Sequence, residues 1–115
     1  MDKNSQGGRS VARPPVSCLA ATAAGGLFLV ERQVPAIAER ELAMLQAALT
    51  EASQRFRARG ESVCYLQSIF LARRDRLLSL FAADDAETVR AVNEAALIPF
   101  ASIEPAIELP GPGRA

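Results

Sequence analysis

Four polar side chains in this sequence have the types and positions expected of a small-ligand site. They are Glu31, Tyr65, Gln67 and Ser79, and each lies in a segment whose pattern predicts a β-strand. The predicted strand phases place all four on one face of a sheet, among apolar neighbours, as in a small-molecule pocket. We predict that these four residues bind a ligand, with Glu31 as the candidate metal ligand and no catalytic residue among them.

The absence of histidine limits the chemistry that the chain can perform. Histidine is the commonest general acid–base residue and the commonest metal ligand. A chain without it cannot form Ser-His-Asp or Cys-His catalytic groups. Whether the protein is an enzyme stays open, and the composition favours a binding role.

The two cysteines, Cys18 and Cys64, do not form a CxxC motif. Cys18 falls in a predicted N-terminal tail, whereas strict alternation along its strand places Cys64 on the helix-facing side of the sheet. We therefore predict two free thiols, with Cys64 inert in the core, and a cytoplasmic protein.

Charge and hydropathy give no indication of a nucleic-acid or membrane partner. Lys plus Arg and Asp plus Glu are both 13, so the formal net charge is zero. Arg73, Arg74 and Arg76 form a small basic cluster without an aromatic stacking platform, which indicates a solvated turn. No apolar run has the length of a membrane span.

The ligand-binding residues must be positioned by six elements in the order β-α-β-β-α-β. Strands are predicted over 27–34, 62–71, 76–83 and 102–109, and the first helix over 37–59. A second helix begins at Asp84 or Asp85 and ends before Pro99. The folded domain spans 25–109, between a disordered tail at 1–24 and a short tail at 110–115.

This order predicts an α+β, ferredoxin-like βαββαβ fold. It has a four-stranded antiparallel sheet of order 4-1-3-2 with both helices on one face. Pro105 cannot donate to a strand ladder, so the last strand should be an edge strand. The other face stays open, which predicts a homodimer packed through its sheets as a dimeric α+β barrel. Glu31 could then pair with an arginine at the interface instead of binding a ligand.

Two polar residues are predicted to have no part in the site. Arg32 follows Glu31 along the strand, so it points to the opposite face or to the rim, where it is interpreted as solvated or as pairing with a helix. Asn93 lies beside the apolar stripe of the second helix and is interpreted as exposed.

Three segments together resemble a small bacterial family of unknown function. They are FLVERQVP at 28–35, a Y-L-x-S strand at 65–68 and DDAETVRAVNEAALIPFASI at 84–103. Characterised members of that family are described as nickel-binding proteins with a dimeric ferredoxin-like fold. The resemblance therefore implies this fold, and nickel or another divalent metal as the ligand.

The resemblance also shows where this chain departs from the family pattern. The family often has histidine at the position of Gln67 and cysteine at that of Ser79, and its Gly-Leu-Pro is Leu97-Ile98-Pro99 here. The scaffold is kept, but the imidazole and sulfur donors that nickel prefers are lost. Our first hypothesis is a small-ligand or metal-binding homodimer. The alternatives are a cofactor-free enzyme of monooxygenase or isomerase type, and a purely structural module.

Overall fold

The computed structural model describes Cys18, residues 25–109 and residues 111–112. The predicted tails at 1–24 and 110–115 otherwise lie outside the described residues. Within residues 25–109, six regular elements follow one another: β1 (Gly26–Gln33), α1 (Glu39–Ala58), β2 (Val63–Leu71), β3 (Arg76–Ala83), α2 (Ala86–Ala95) and β4 (Ser102–Ala106). A short 3₁₀ turn, Ala72–Arg74, joins β2 to β3. No helix among the described residues is long and apolar enough to cross a membrane.

The four strands form one sheet in the order β2-β3-β1-β4, and each pairing is antiparallel. Read from the other edge, this is the predicted order 4-1-3-2. The α+β βαββαβ fold is thereby confirmed. Strand β4 lies at an edge, as predicted from Pro105, whose partner on β1 is Phe28.

The hydrophobic core lies between the two helices and one face of the sheet. From α1, Leu49 and Ala52 are fully buried. They pack with Val30 and Phe81 from the sheet and with Val89 from α2. The opposite sheet face carries neither helix, and we call it the open face.

Local signals in the sequence fix the helix ends. Asp85 caps α2, because its carboxylate accepts a hydrogen bond of 2.9 Å from the backbone N–H of Thr88. This hydrogen bond, together with the Thr88 hydroxyl, lowers the pKa of Asp85 below its ordinary value. Helix α1 is followed by Gly60 at φ +94°, a conformation that glycine adopts without steric cost.

A β-bulge in β2 overturns the predicted strand phase. Tyr65 pairs with Phe81 and Gln67 pairs with Leu80, which leaves Leu66 as the extra residue. Because one inserted residue reverses the alternation, Tyr65 and Ser68 share a face although they are three positions apart. Tyr65 therefore faces the helices rather than the open side.

The prediction of two free thiols was wrong. Cys18 and Cys64 form a disulfide with an S–S distance of 2.02 Å. Cys64 precedes the bulge and pairs with Ala82, so it lies on the open face and not in the helix-facing core. Cys18 packs there against Cys64 and Ala82, with Leu27 and Leu66 around them. Spacing along the chain could not reveal this contact, because it is tertiary.

Candidate functional site

The open face carries an ion pair between Glu31 on β1 and Arg76 at the start of β3. Leu29, two residues before Glu31 on β1, and Leu78, which is paired with Glu31 across the sheet, lie on the same face. These residues, with Gln33, Leu71 and Arg74, line a cavity of about 540 Å³. Aliphatic walls around a few charged groups are the usual composition of a small-molecule pocket. Glu31 thus lies where it was predicted, but its carboxylate already has an arginine partner.

Gln67 also lies on the open face, but it does not meet Glu31. It is exposed on β2 and pairs with Leu80 of β3, whereas Glu31 on β1 pairs with Leu78 of β3. Strand β3 separates them, which alone places their backbones about 10 Å apart. The two side chains are therefore too distant to bind the same ligand atom.

Ser79 and Tyr65 lie on the other side of the sheet, which corrects the prediction of a single four-residue cluster. On β3, Ser79 alternates with Leu78, so it faces the helices and is fully buried. Its hydroxyl lies 2.8 Å from that of Ser68, and the Ser68 hydroxyl in turn hydrogen-bonds the Tyr65 hydroxyl. These residues form a continuous chain of three hydroxyls, the Tyr65–Ser68–Ser79 chain, which the sequence did not reveal.

Arg32 hydrogen-bonds the Ser79 end of this chain and is almost fully buried, with 1 % of its surface exposed. Its guanidinium donates to the backbone carbonyl of Pro99 at 3.2 Å, to the Ser79 hydroxyl at 3.4 Å and to the side-chain carbonyl of Asn93. All three acceptors are neutral. Burial lowers the pKa of Arg32 to about 10, and the nearby Tyr65 phenol partly offsets this effect.

The predictions for Arg32 and Asn93 are thus revised. Pairing of Arg32 with a helix is confirmed, because Asn93 lies on α2, but Arg32 is not solvated. Asn93 is fully buried rather than exposed, and its amide N–H₂ donates to the backbone carbonyl of Val89 at 2.8 Å. Strand alternation gave the correct face for Arg32. No local pattern indicated that Asn93 would be its partner.

The residues present do not fit a nickel site. The sequence has no histidine, and both cysteines are in the disulfide. Glu31, the predicted metal ligand, is paired with Arg76. Among the described residues, no three histidine, cysteine or acidic side chains lie close enough together to hold a metal ion. Imidazole is the side-chain donor that suits nickel, and this sequence has none.

Comparison with known proteins identifies a family but no individual relative. No curated protein and no solved structure matches the chain. The family described as "Nickel responsive protein SCO4226-like" matches residues 28–105, which include the six elements from β1 to β4 named above except for the ends of β1 and β4. This match confirms the resemblance to nickel-associated proteins drawn from the sequence. The chain belongs to the nickel-responsive SCO4226-like family.

Proposed function

We propose that this protein is a homodimeric binding module that holds a small organic molecule, rather than a nickel ion, on the open face of its sheet. The observation that carries the proposal is the Glu31–Arg76 ion pair inside a leucine-lined cavity of about 540 Å³. A cavity of this volume suits a drug-sized molecule. The side chains around it are suited to binding, and none forms a recognised catalytic group.

The charges of the cavity favour an anionic ligand with an apolar body. Two guanidiniums, from Arg74 and Arg76, and one carboxylate, from Glu31, line it. Arg76 is occupied by Glu31, whereas Arg74 is exposed on the 3₁₀ turn. Arginine recognises carboxylates in a bidentate geometry. We assign Arg74 as the group that holds the ligand carboxylate, with Leu29 and Leu78 against its apolar part.

Dimerisation through the open face is supported by the aliphatic side chains that the helices leave uncovered. Leu78 lies between Glu31 and Ile69 across the sheet, and Ile69 is 54 % exposed. In a symmetric dimer this surface meets a copy of itself. A formal net charge of zero does little to oppose this association.

Loss of nickel binding follows from the donors that the site lacks. The ion-paired Glu31 leaves Tyr65, Gln67 and Ser79 as the remaining predicted ligand-binding residues. Gln67 lies on the open face, whereas Tyr65 and Ser79 face the helices. The enzyme alternative has little support beyond the fold, since the chain has no histidine to transfer protons.

Native mass spectrometry of protein purified without chelator tests the proposal. We expect a dimer that carries an organic mass and does not take up nickel when it is added. Leu78→Asp should give a monomer, because it puts a charge at the centre of the interface. Ala47→Asp, on the exposed side of α1, should leave the dimer intact. A native monomer, or stoichiometric nickel uptake, would contradict the proposal.

Arg74→Met separates ligand binding from dimerisation. We expect this variant to remain a dimer and to lose the organic mass, because its substituted side chain keeps apolar contacts without the guanidinium. Unchanged retention of the ligand would remove Arg74 from the site.

A cytoplasmic location remains a proposal, and the disulfide provides its test. Disulfides rarely persist in a reducing cytosol. Alkylation of thiols in intact cells, before lysis, should label both Cys18 and Cys64 if the protein is cytoplasmic. Unlabelled cysteines would place it in an oxidising compartment.

A further inference from the structure

A second cleft lies on the helix side of the sheet, between α1 and strands β2 and β3. Its volume is about 280 Å³, and its walls are the side chains of Leu42, Ala43, Phe70 and Leu77. Glu39 and Gln46 also line it, and both are exposed. One further lining residue is Ser68, which is the middle member of the Tyr65–Ser68–Ser79 chain.

The buried Arg32 sets the direction of hydrogen bonding in this chain. A guanidinium can only donate, so the Ser79 oxygen accepts from Arg32. The Ser79 hydroxyl is fully buried and has a single proton, and the oxygen within reach of it is that of Ser68. Ser79 therefore donates to Ser68.

Tyr65 donates to Ser68 as well. A phenol is the more acidic of the two hydroxyls, so it is the better donor in the Tyr65–Ser68 hydrogen bond. Ser68 then accepts two hydrogen bonds, which uses both lone pairs of its oxygen. Its own proton is not needed within the chain, and Ser68 is the member that lines the cleft.

We infer that this cleft binds a small, largely apolar molecule through a neutral carbonyl oxygen, which accepts a hydrogen bond from the Ser68 hydroxyl. Hydrogen bonds in a chain polarise one another, so the buried charge of Arg32 strengthens Ser68 as a donor. The aliphatic and aromatic walls contact the rest of the molecule. Glu39 at the edge of the cleft disfavours a carboxylate. The cleft volume suits a single-ring compound, as it is below the roughly 300–1,000 Å³ of drug-sized sites.

Fluorine NMR with para-fluoroacetophenone as the probe tests this inference. The native protein should bind the ketone more tightly than para-fluoroethylbenzene, which has the same ring but no acceptor, by about fivefold. It should also bind the ketone more tightly than para-fluorobenzoate. Equal affinity for the ketone and the ethyl compound, or tighter binding of the benzoate, would overturn the inference.

Substitutions in the hydroxyl chain test whether Ser68 is the group that binds the ketone. Ser68→Ala should remove the preference for the ketone, whereas Tyr65→Phe should keep it, because Ser68 still accepts from Ser79 and still donates into the cleft. Retention of the preference in Ser68→Ala would show that the donor is another group.

A filled cleft provides a variant that does not disturb the hydroxyl chain. Ala43→Trp places a large side chain in the cleft from the exposed surface of α1 and should abolish probe binding. Ala47→Trp makes the same change at an exposed position that does not line the cleft, so it should bind the probe normally. Equal binding by these two variants would place the probe elsewhere. Neither result depends on the open-face cavity, so failure here leaves the proposed function standing.

Discussion

The charged residues on the two faces of the sheet differ in their burial and in their partners. Glu31 and Arg32 are neighbours on β1, yet Glu31 lies on the open face and Arg32 among the helices. Glu31 pairs with a charged partner near solvent, with side chains 29 % and 40 % exposed for Glu31 and Arg76. Arg32 is buried and binds neutral acceptors.

This difference separates an ion pair that the fold can lose from a buried cation that it needs. An ion pair exposed to water contributes little to stability, so its removal should cost the fold little. A buried cation must have its donors satisfied, since each unmade hydrogen bond would be costly. Arg32 thereby connects β1 to Asn93 on α2 and to the loop at Pro99.

Replacement of each arginine by methionine gives the sharpest contrast between the faces. Arg32→Met should lower the free energy of unfolding by about 4 kcal/mol, because it removes three hydrogen bonds from a charged donor and leaves buried acceptors unsatisfied. Arg76→Met should cost less than about 1 kcal/mol. Urea denaturation of both variants measures the difference, and equal losses would contradict it.

A double variant identifies the source of this loss. Arg32→Met combined with Asn93→Leu removes both ends of one buried hydrogen bond, so it should be more stable than the sum of the single variants predicts. Simple additivity would mean that the Arg32–Asn93 contact carries none of the effect.

The disulfide on the open face should add a covalent contribution to the stability of the fold. The bond closes a loop between cysteines 46 positions apart, and such a loop should stabilise the fold by about 4 kcal/mol. Reductant should lower the thermal midpoint of the native protein but leave that of Cys18→Ser unchanged. If reductant has no effect on the native protein, the Cys18–Cys64 bond does not stabilise the fold in solution.

A smaller effect on stability is expected at the turn before Pro99, whose carbonyl accepts a hydrogen bond from Arg32. Leu97 has a φ of +62°, which is unfavourable for a residue with a Cβ. Its side chain is 87 % exposed, so little packing offsets this cost. Leu97→Gly should raise the free energy of unfolding by up to about 1 kcal/mol, because glycine adopts this conformation without a Cβ clash. Leu109→Gly, at an equally exposed position without positive φ, is the control and should bring no gain. A destabilised Leu97→Gly would indicate that Leu97 makes contacts in solution.

The sequence by itself determined the element order, the sheet topology and the family. Apolar spacing of three and four along α1, the acidic cap of α2 and Pro105 in the last strand are local signals, and local signals specify elements. The antiparallel order then follows from handedness and short connections. Glu31 was placed on the correct face because β1 is regular throughout its pairing with β3.

Only the tertiary structure decided the composition of the site. The bulge at Leu66 moved Tyr65 to the helix side, because one extra residue reverses every side chain that precedes it relative to those that follow. The Arg32–Asn93 contact and the Cys18–Cys64 bond join residues 61 and 46 positions apart. Such partners are selected by three-dimensional proximity and by the need to satisfy buried groups, and neither leaves a periodic pattern in the sequence.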